Sequence, residues 1–224
     1  MNPMKRLADE LSNILKDQLL GAITYGDPND SPLNLLIVLK VVTKENLSRM
    51  KAPIQTALKE KSIGIITMTK KELQQSADVF PIKFRMIQKN GVVLVGENSL
   101  VDLQIEDIHL RLRCEQELRN LSLRLRQSFL LRNLGSTPKM NLLGSCANKF
   151  EQNLIILAEL KKGESDLKLD EVERILKTMN LNLSTIQEIR NAIENKLSDK
   201  KQVDDLYHKF REMVDLATNA VDQL

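Results

Sequence analysis

The sequence predicts an α/β N-terminal half followed by an all-helical C-terminal half. Three observations carry that prediction. Apolar, β-rich runs bounded by turn residues recur at Leu19–Tyr25, Leu33–Val42, Ser62–Met68 and Val92–Val95. Five of the six prolines lie at or before residue 81, so the turn-rich chemistry is confined to one end of the chain. Beyond residue 100 the apolar residues recur at helical spacing instead. The expected boundary falls between residues 1–105, an α/β domain with a small mixed sheet, and residues 106–224, a helical bundle of about five helices.

The elements follow in order. Met4, Leu7, Leu11, Ile14 and Leu15 mark an opening amphipathic helix. Leu19–Tyr25 reads as a short strand that stops at Gly26, and Asp27-Pro28-Asn29-Asp30-Ser31-Pro32 is a dense turn cluster. Leu33–Val42 is almost continuously apolar, which suits a strand buried on both faces, with Leu33–Leu39 the expected strand. Asn46–Lys59 reads as a helix with Pro53 awkwardly inside it. After the Ser62–Met68 strand, Thr69 and Glu72 stand at capping-box spacing before another helix. Val92–Val95 is the last short strand.

In the second half, Ile108–Leu134 reads as one long helix ended by Gly135. Leu110, Cys114, Leu118, Leu121, Leu125 and Phe129 form one apolar stripe on it. Leu112, Leu123, Leu130 and Leu134 point in a second direction, as expected of a helix sandwiched between neighbours. Gly135–Asn141 is the clearest loop, and Gly163 ends a helix containing Phe150, Leu154 and Leu157. Val172, Ile175, Leu176 and Met179 mark the next helix. Ser184-Thr185-Ile186-Gln187 reads as a capping box opening another, with Ile186, Ile189 and Ile193 facing the core. The final helix has the clearest face: Val203, Leu206, Tyr207, Phe210, Met213, Val214, Ala217 and Val221.

Composition excludes several function classes. The net charge is only +3, with 14 Lys+Arg against 11 Asp+Glu over residues 1–105 and 19 of each in the remainder, too even to signal a nucleic-acid protein. Aromatic residues make up 3% and there is no Trp, so a base-stacking platform is not expected. Arg111, Arg113, Arg119, Arg124, Arg126 and Arg132 cluster on one segment. However, Glu115 and Glu117 stand four residues from several of them, so a solvated, ion-paired face is the expectation. Cys114 and Cys146 match no zinc spacing and read as free thiols of a reducing compartment. Residues 1–18 mix charges among leucines and lack the apolar run of a signal peptide, and no stretch reaches membrane-spanning length. A cytoplasmic protein without membrane contact is expected.

The most informative block is Leu19–Leu39, LLGAITYGDPNDSPLNLLIVL. A strand ends in Gly, a turn follows, and a hydrophobic strand returns. This resembles the nucleotidyltransferase superfamily, the group that includes kanamycin nucleotidyltransferase. There a strand leads to Gly-Ser, then a loop, then Asp-hydrophobic-Asp on the next strand. Ile63–Leu73, Val79–Glu97 and the trailing helices are similar to the family's later elements and its helical C-terminal domain. The chemistry behind the pattern is specific. The glycine lets backbone approach a triphosphate, and two Asp alternating along a strand point to one face. With a third carboxylate they hold magnesium, which neutralises phosphate charge and activates the attacking hydroxyl.

The departures define the expected function. Asp27 stands where the resemblance implies Ser. Pro32 and Asn34 occupy the positions of the two Asp, and Ser62–Met68 contains no acid. The resemblance therefore implies a vestigial nucleotide-binding site at Gly26, Asp27, Asp30 and Asn34, with no catalytic residue, no metal ligand and no resident cofactor. The expected function is binding or assembly, with a nucleotide as a possible ligand. One alternative is an active magnesium-dependent nucleotidyltransferase with Asp27 and Asp30 as displaced ligands, although residues of this type commonly just stabilise a turn. The other alternative is a helical protein-interaction module. A ribonuclease motif in which His closely follows Arg, found in some helical partners of such domains, is missing around His109 and His208. Tyr207, Phe210, Met213 and Val214 suggest a homodimer through helical surfaces, although the same stripe equally suits bundle core.

Overall fold

The computed structural model describes residues 3–26, 33–131 and 135–224. The chain divides into two compact units, residues 1–106 and 107–224.

The first unit is a four-stranded mixed sheet with helices on both faces. Its elements are α1 (Pro3–Leu15), a 3₁₀ turn, β1 (Leu19–Tyr25), β2 (Leu33–Leu39), α2 (Lys44–Glu60), β3 (Ile63–Thr69), α3 (Lys70–Gln75), α4 (Pro81–Asn90) and β4 (Val92–Gly96). The strand order is β3-β2-β1-β4. β1 runs antiparallel to both β2 and β4, while β2 and β3 are parallel and joined through α2. Alternation along the strands sorts the core into two layers. Ala22, Leu35, Ile37 and Leu39 pack with Met4, Leu7 and Leu11 of α1 and Met50 of α2. Ile23, Leu36 and Val38 pack on the other face with Leu73, Phe84 and Ile87 of α3 and α4.

β2 is shorter than the apolar run Leu33–Val42. It ends at Leu39 because the next residues serve a helix start: Lys40 N–H donates to Gln18 O, and the Thr43 side chain accepts from Asn46 N–H to cap α2. Asn46 Nδ2 also donates to Val41 O, which ties the connection down. Pro53 is accommodated inside α2, where its ring is buried and offsets the lost helical hydrogen bond. The Thr69–Glu72 capping box forms as the spacing predicts: Thr69 Oγ1 accepts from Glu72 N–H, and the Glu72 carboxylate accepts from Thr69 N–H. Those hydrogen bonds hold the Glu72 carboxyl below its ordinary pKa.

The second unit is a bundle of α5 (Asp107–Leu131), α6 (Ser136–Lys162), α7 (Leu169–Thr178), α8 (Ser184–Glu194) and α9 (Lys200–Val221). The expected loop at Gly135–Asn141 is corrected. Gly135 caps the start of α6, and residues 136–141 are already helical. Pro138 sits in the first turn, where its missing N–H costs nothing, so the Ser-Thr-Pro sequence starts a helix instead of ending one. Ser184 does not form the expected capping box. Its hydroxyl donates to Asn182 Oδ1, and that same oxygen accepts from Thr185 N–H, so Asn182 supplies the helix-start acceptor.

The final helix buries every residue of its expected face, from Val203 to Val221. Phe210 meets Phe150 edge-on, and the Tyr207 hydroxyl donates to Leu125 O at 2.5 Å. Of the first stripe on α5, Leu110, Cys114, Leu118 and Leu125 are buried, whereas Leu121 is half-buried and Phe129 is exposed. The second stripe is corrected: Leu112, Leu123 and Leu130 are 49%, 54% and 78% exposed. No described helix is long and apolar enough to cross a membrane.

Candidate functional site

The end of the sheet where β1 stops and β2 and β3 begin gathers the residues of interest. β1 closes with Tyr25, and Gly26 follows with φ +88°, a left-handed conformation that a side chain would strain. Across the ladder, Asn34 faces Tyr25 of β1 on one side and Gly64 of β3 on the other. Thr24 Oγ1 donates to Asn34 O at 3.1 Å and fixes the start of β2. Asn34 alternates with Leu36 and Val38, so its side chain lies on the α3/α4 face.

Two glycines make room for that amide. A Cβ on Gly64 would lie 2.6 Å from Asn34 Oδ1, closer than real Cβ contacts allow. A Cβ on Gly26 would lie 3.4 Å from Asn34 Nδ2. The Asn34 amide therefore spans the space between the end of β1 and the start of β3. Tyr25 sits half-buried beside it, and burial raises the pKa of its hydroxyl, so the group stays a neutral donor and acceptor.

Of the four expected site residues, the structure brings Gly26 and Asn34 together. Asp27 and Asp30 lie outside the described residues, as does Pro32. Magnesium requires hard oxygen ligands, usually with one or two carboxylates. On this face Asn34 offers one neutral oxygen, Gly64 offers no side chain and Ile66 is apolar. The described residues here do not fit a catalytic magnesium. Among the described residues generally, no three of His, Cys, Asp and Glu converge as a metal-holding group.

No protein-family profile and no curated protein matches this chain. The reading of the site thus rests on its own chemistry.

Four of the five described arginines on α5 are ion-paired. Arg111 and Arg119 pair with Glu115, Arg113 with Glu117, Arg119 also with Asp222, and Arg126 with Asp215. Arg132 lies outside the described residues. The pairs within the helix are those the i,i+4 charge spacing predicts, whereas the pairs with Asp222 and Asp215 join distant parts of the chain. His208 packs edge-on against Phe129 with ring centroids 5.3 Å apart, a packing role. Cys114 and Cys146 are free and buried. Burial pushes the Cys114 thiol up to about 12, so it is a poor nucleophile.

Sequence reasoning missed Gly64 as a site residue. The available signal was a glycine inside an otherwise β-branched run, a pattern that marks close approach of a neighbour. It also missed a groove in the bundle between α5 and α6, signalled by Asn153 in the middle of an apolar helix face.

Proposed function

We propose that this chain is a nucleotidyltransferase-like protein that transfers no nucleotide and serves in binding or assembly in the cytoplasm. The observation that carries the reading is Asn34. It occupies the strand position where the resemblance calls for a metal-binding acid, and its amide is fitted between Gly26 and Gly64. An amide there supplies no charge to hold magnesium or to activate a hydroxyl. The order of a strand, a glycine turn, an antiparallel strand, a connecting helix and a parallel strand supports the kinship. The two free, buried cysteines fit a reducing compartment.

The test is a calorimetric titration with the four common nucleoside triphosphates, with and without magnesium, beside an assay for transfer of labelled nucleotide to candidate acceptors. The expected result is no transfer, and any nucleotide binding should be indifferent to magnesium. Transfer that disappears in Asp27→Ala or Asp30→Ala would establish the alternative, a working enzyme with displaced ligands.

The assembly role has its own support. Tyr207, Phe210, Met213 and Val214 are buried within the bundle, so they offer nothing to a second copy. Ile108, Leu112, Leu123 and Leu130 of α5 remain exposed, and a homodimer or a helical partner would use them. Leu112→Glu with Leu123→Glu should abolish any association seen by sedimentation equilibrium. An unchanged oligomer in that variant would exclude this face.

A further inference from the structure

We propose that the groove between α5 and α6 binds a small dianionic phosphate monoester that also carries a hydroxyl or amine donor. The site lies wholly within residues 107–224 and stands apart from the nucleotide reading. The groove has a volume of about 240 Å³, below the roughly 300–1,000 Å³ typical of drug-sized ligands and too small to enclose a nucleoside triphosphate.

Its charges select a dianion. One wall carries Arg113, Glu117 and Arg124, spaced along one face of α5, and the other carries Lys149 and Asn153 of α6. Glu117 is already satisfied: its Oε1 accepts from Arg113 Nε at 2.8 Å, and its Oε2 accepts from Asn153 Nδ2 at 3.2 Å. Arg124 and Lys149 form no side-chain ion pair among the described residues. The groove is thus left with two uncompensated cations, which match the charge of a phosphate monoester near neutral pH.

Asn153 sets the second requirement. It is 2% exposed, in the middle of a helix face otherwise built from Phe150, Leu154 and Leu157. Its Nδ2 is committed to Glu117 and, at 2.8 Å, to Lys149 O. Its Oδ1 is buried and accepts no hydrogen bond. A buried acceptor without a donor is unfavourable, and native proteins keep few of them. A hydroxyl or amine reaching it through a small adjustment of the groove wall satisfies it. Leu121 and Cys146 supply an apolar surface for the carbon skeleton between the two ends.

The chain of residues 1–224 is titrated by calorimetry with glycerol phosphate, sulfate and glycerol. Glycerol phosphate is expected to bind, and glycerol alone is not. Sulfate has the charge but no donor, and losing one hydrogen bond in a charged site should weaken it about tenfold. Arg124→Gln and Lys149→Gln change exposed side chains, so the fold is retained, and each should weaken glycerol phosphate about tenfold or more. Asn153→Leu should erase the preference over sulfate. Should that variant misfold, the sulfate comparison in the unaltered chain still reads the donor requirement. The proposal is overturned if glycerol phosphate gives no binding heat, if sulfate equals it, or if the Arg124→Gln/Lys149→Gln double variant binds as the unaltered chain does.

Discussion

Replacing Gly64 with Ala should destabilise the first unit, yet stabilise it once Asn34 is also Ala. The new methyl would sit 2.6 Å from Asn34 Oδ1, so the amide or the strand must shift. Overpacking of this kind costs about 1–3 kcal/mol. Against that, Ala in a strand is favoured over Gly by about 0.5–1 kcal/mol, because the unfolded chain has less freedom to lose. The φ of Gly64 is not in the left-handed region, so no backbone strain enters. The net effect is a loss of about 1 kcal/mol in the unaltered background and a gain of about 0.5 kcal/mol in the Asn34→Ala background, from the same two terms. The coupling between the two positions is therefore on the order of 1–3 kcal/mol. Urea unfolding of the four members of the cycle measures it. There is no Trp, and of the two tyrosines Tyr25 lies in the first unit and Tyr207 in the second. A Tyr207→Phe background therefore lets tyrosine fluorescence report the first unit alone. If Gly64→Ala shifts the midpoint in the same direction in both backgrounds, Asn34 does not fill the space beside Gly64 and the site reading fails with it.

Three further outcomes are expected. Cys114 should resist a thiol-labelling reagent at pH 8 in the native state and label promptly in urea. Its raised pKa also means that the unfolded chain loses the thiol proton first, so stability falls as pH rises above the ordinary thiol range toward about 12. Native labelling at the unfolded rate would contradict that burial. Lys139 holds the Asp204 carboxyl below its usual pKa, so the contact contributes above the ordinary carboxylate range and is lost as pH falls through the depressed value. Asp204→Asn should therefore lower the urea midpoint at neutral pH, with the difference closing in acid. A gap unchanged at the lowest pH would rule out the charge as its source. Phe150→Ala empties the centre of the bundle opposite Phe210 and should cost about 3–5 kcal/mol. A loss under 1 kcal/mol by denaturant unfolding would mean that the ring is not packed as described.

What the sequence made legible was decided by local rules that tertiary packing did not contest. Leu19–Tyr25 has the bounds of β1, because Gly26 ends it by backbone conformation alone. Thr69 and Glu72 form their capping box because both partners lie within one turn. The core face of α9 was legible since its apolar period is unbroken. Elsewhere the same signals were overridden. The apolar run continues past β2 to Val42, but Val41 is exposed, because Thr43 and Asn46 claim its neighbourhood for a helix start. Leu112, Leu123 and Leu130 looked like core, but periodicity cannot say whether a second face has a neighbour. Ile193 was expected to face inward; it is 44% exposed, with its side chain draped over the α6 surface at Gly144. In the candidate site, Gly26 and Asn34 were legible from their place in the motif. Gly64 was not, since its pairing with Asn34 depends on a register set by strands separated by a whole helix.

The sheet order has a bearing on how the chain comes into being. β1 lies between β2, which follows it directly, and β4, which follows near the end of the first unit. During synthesis the β1–β2 pair and the parallel β3 are available early, while one side of β1 stays open until β4 emerges. Non-local pairings of this kind slow folding. In that interval the apolar strand LLGAITY is a bare template for unwanted pairing. Lys5, whose ammonium reaches Leu94 O at 2.9 Å, then places a charge at the edge strand β4 when the sheet is complete. A ribosome-bound chain halted before Val92 is accordingly the species in which chaperone dependence should be greatest.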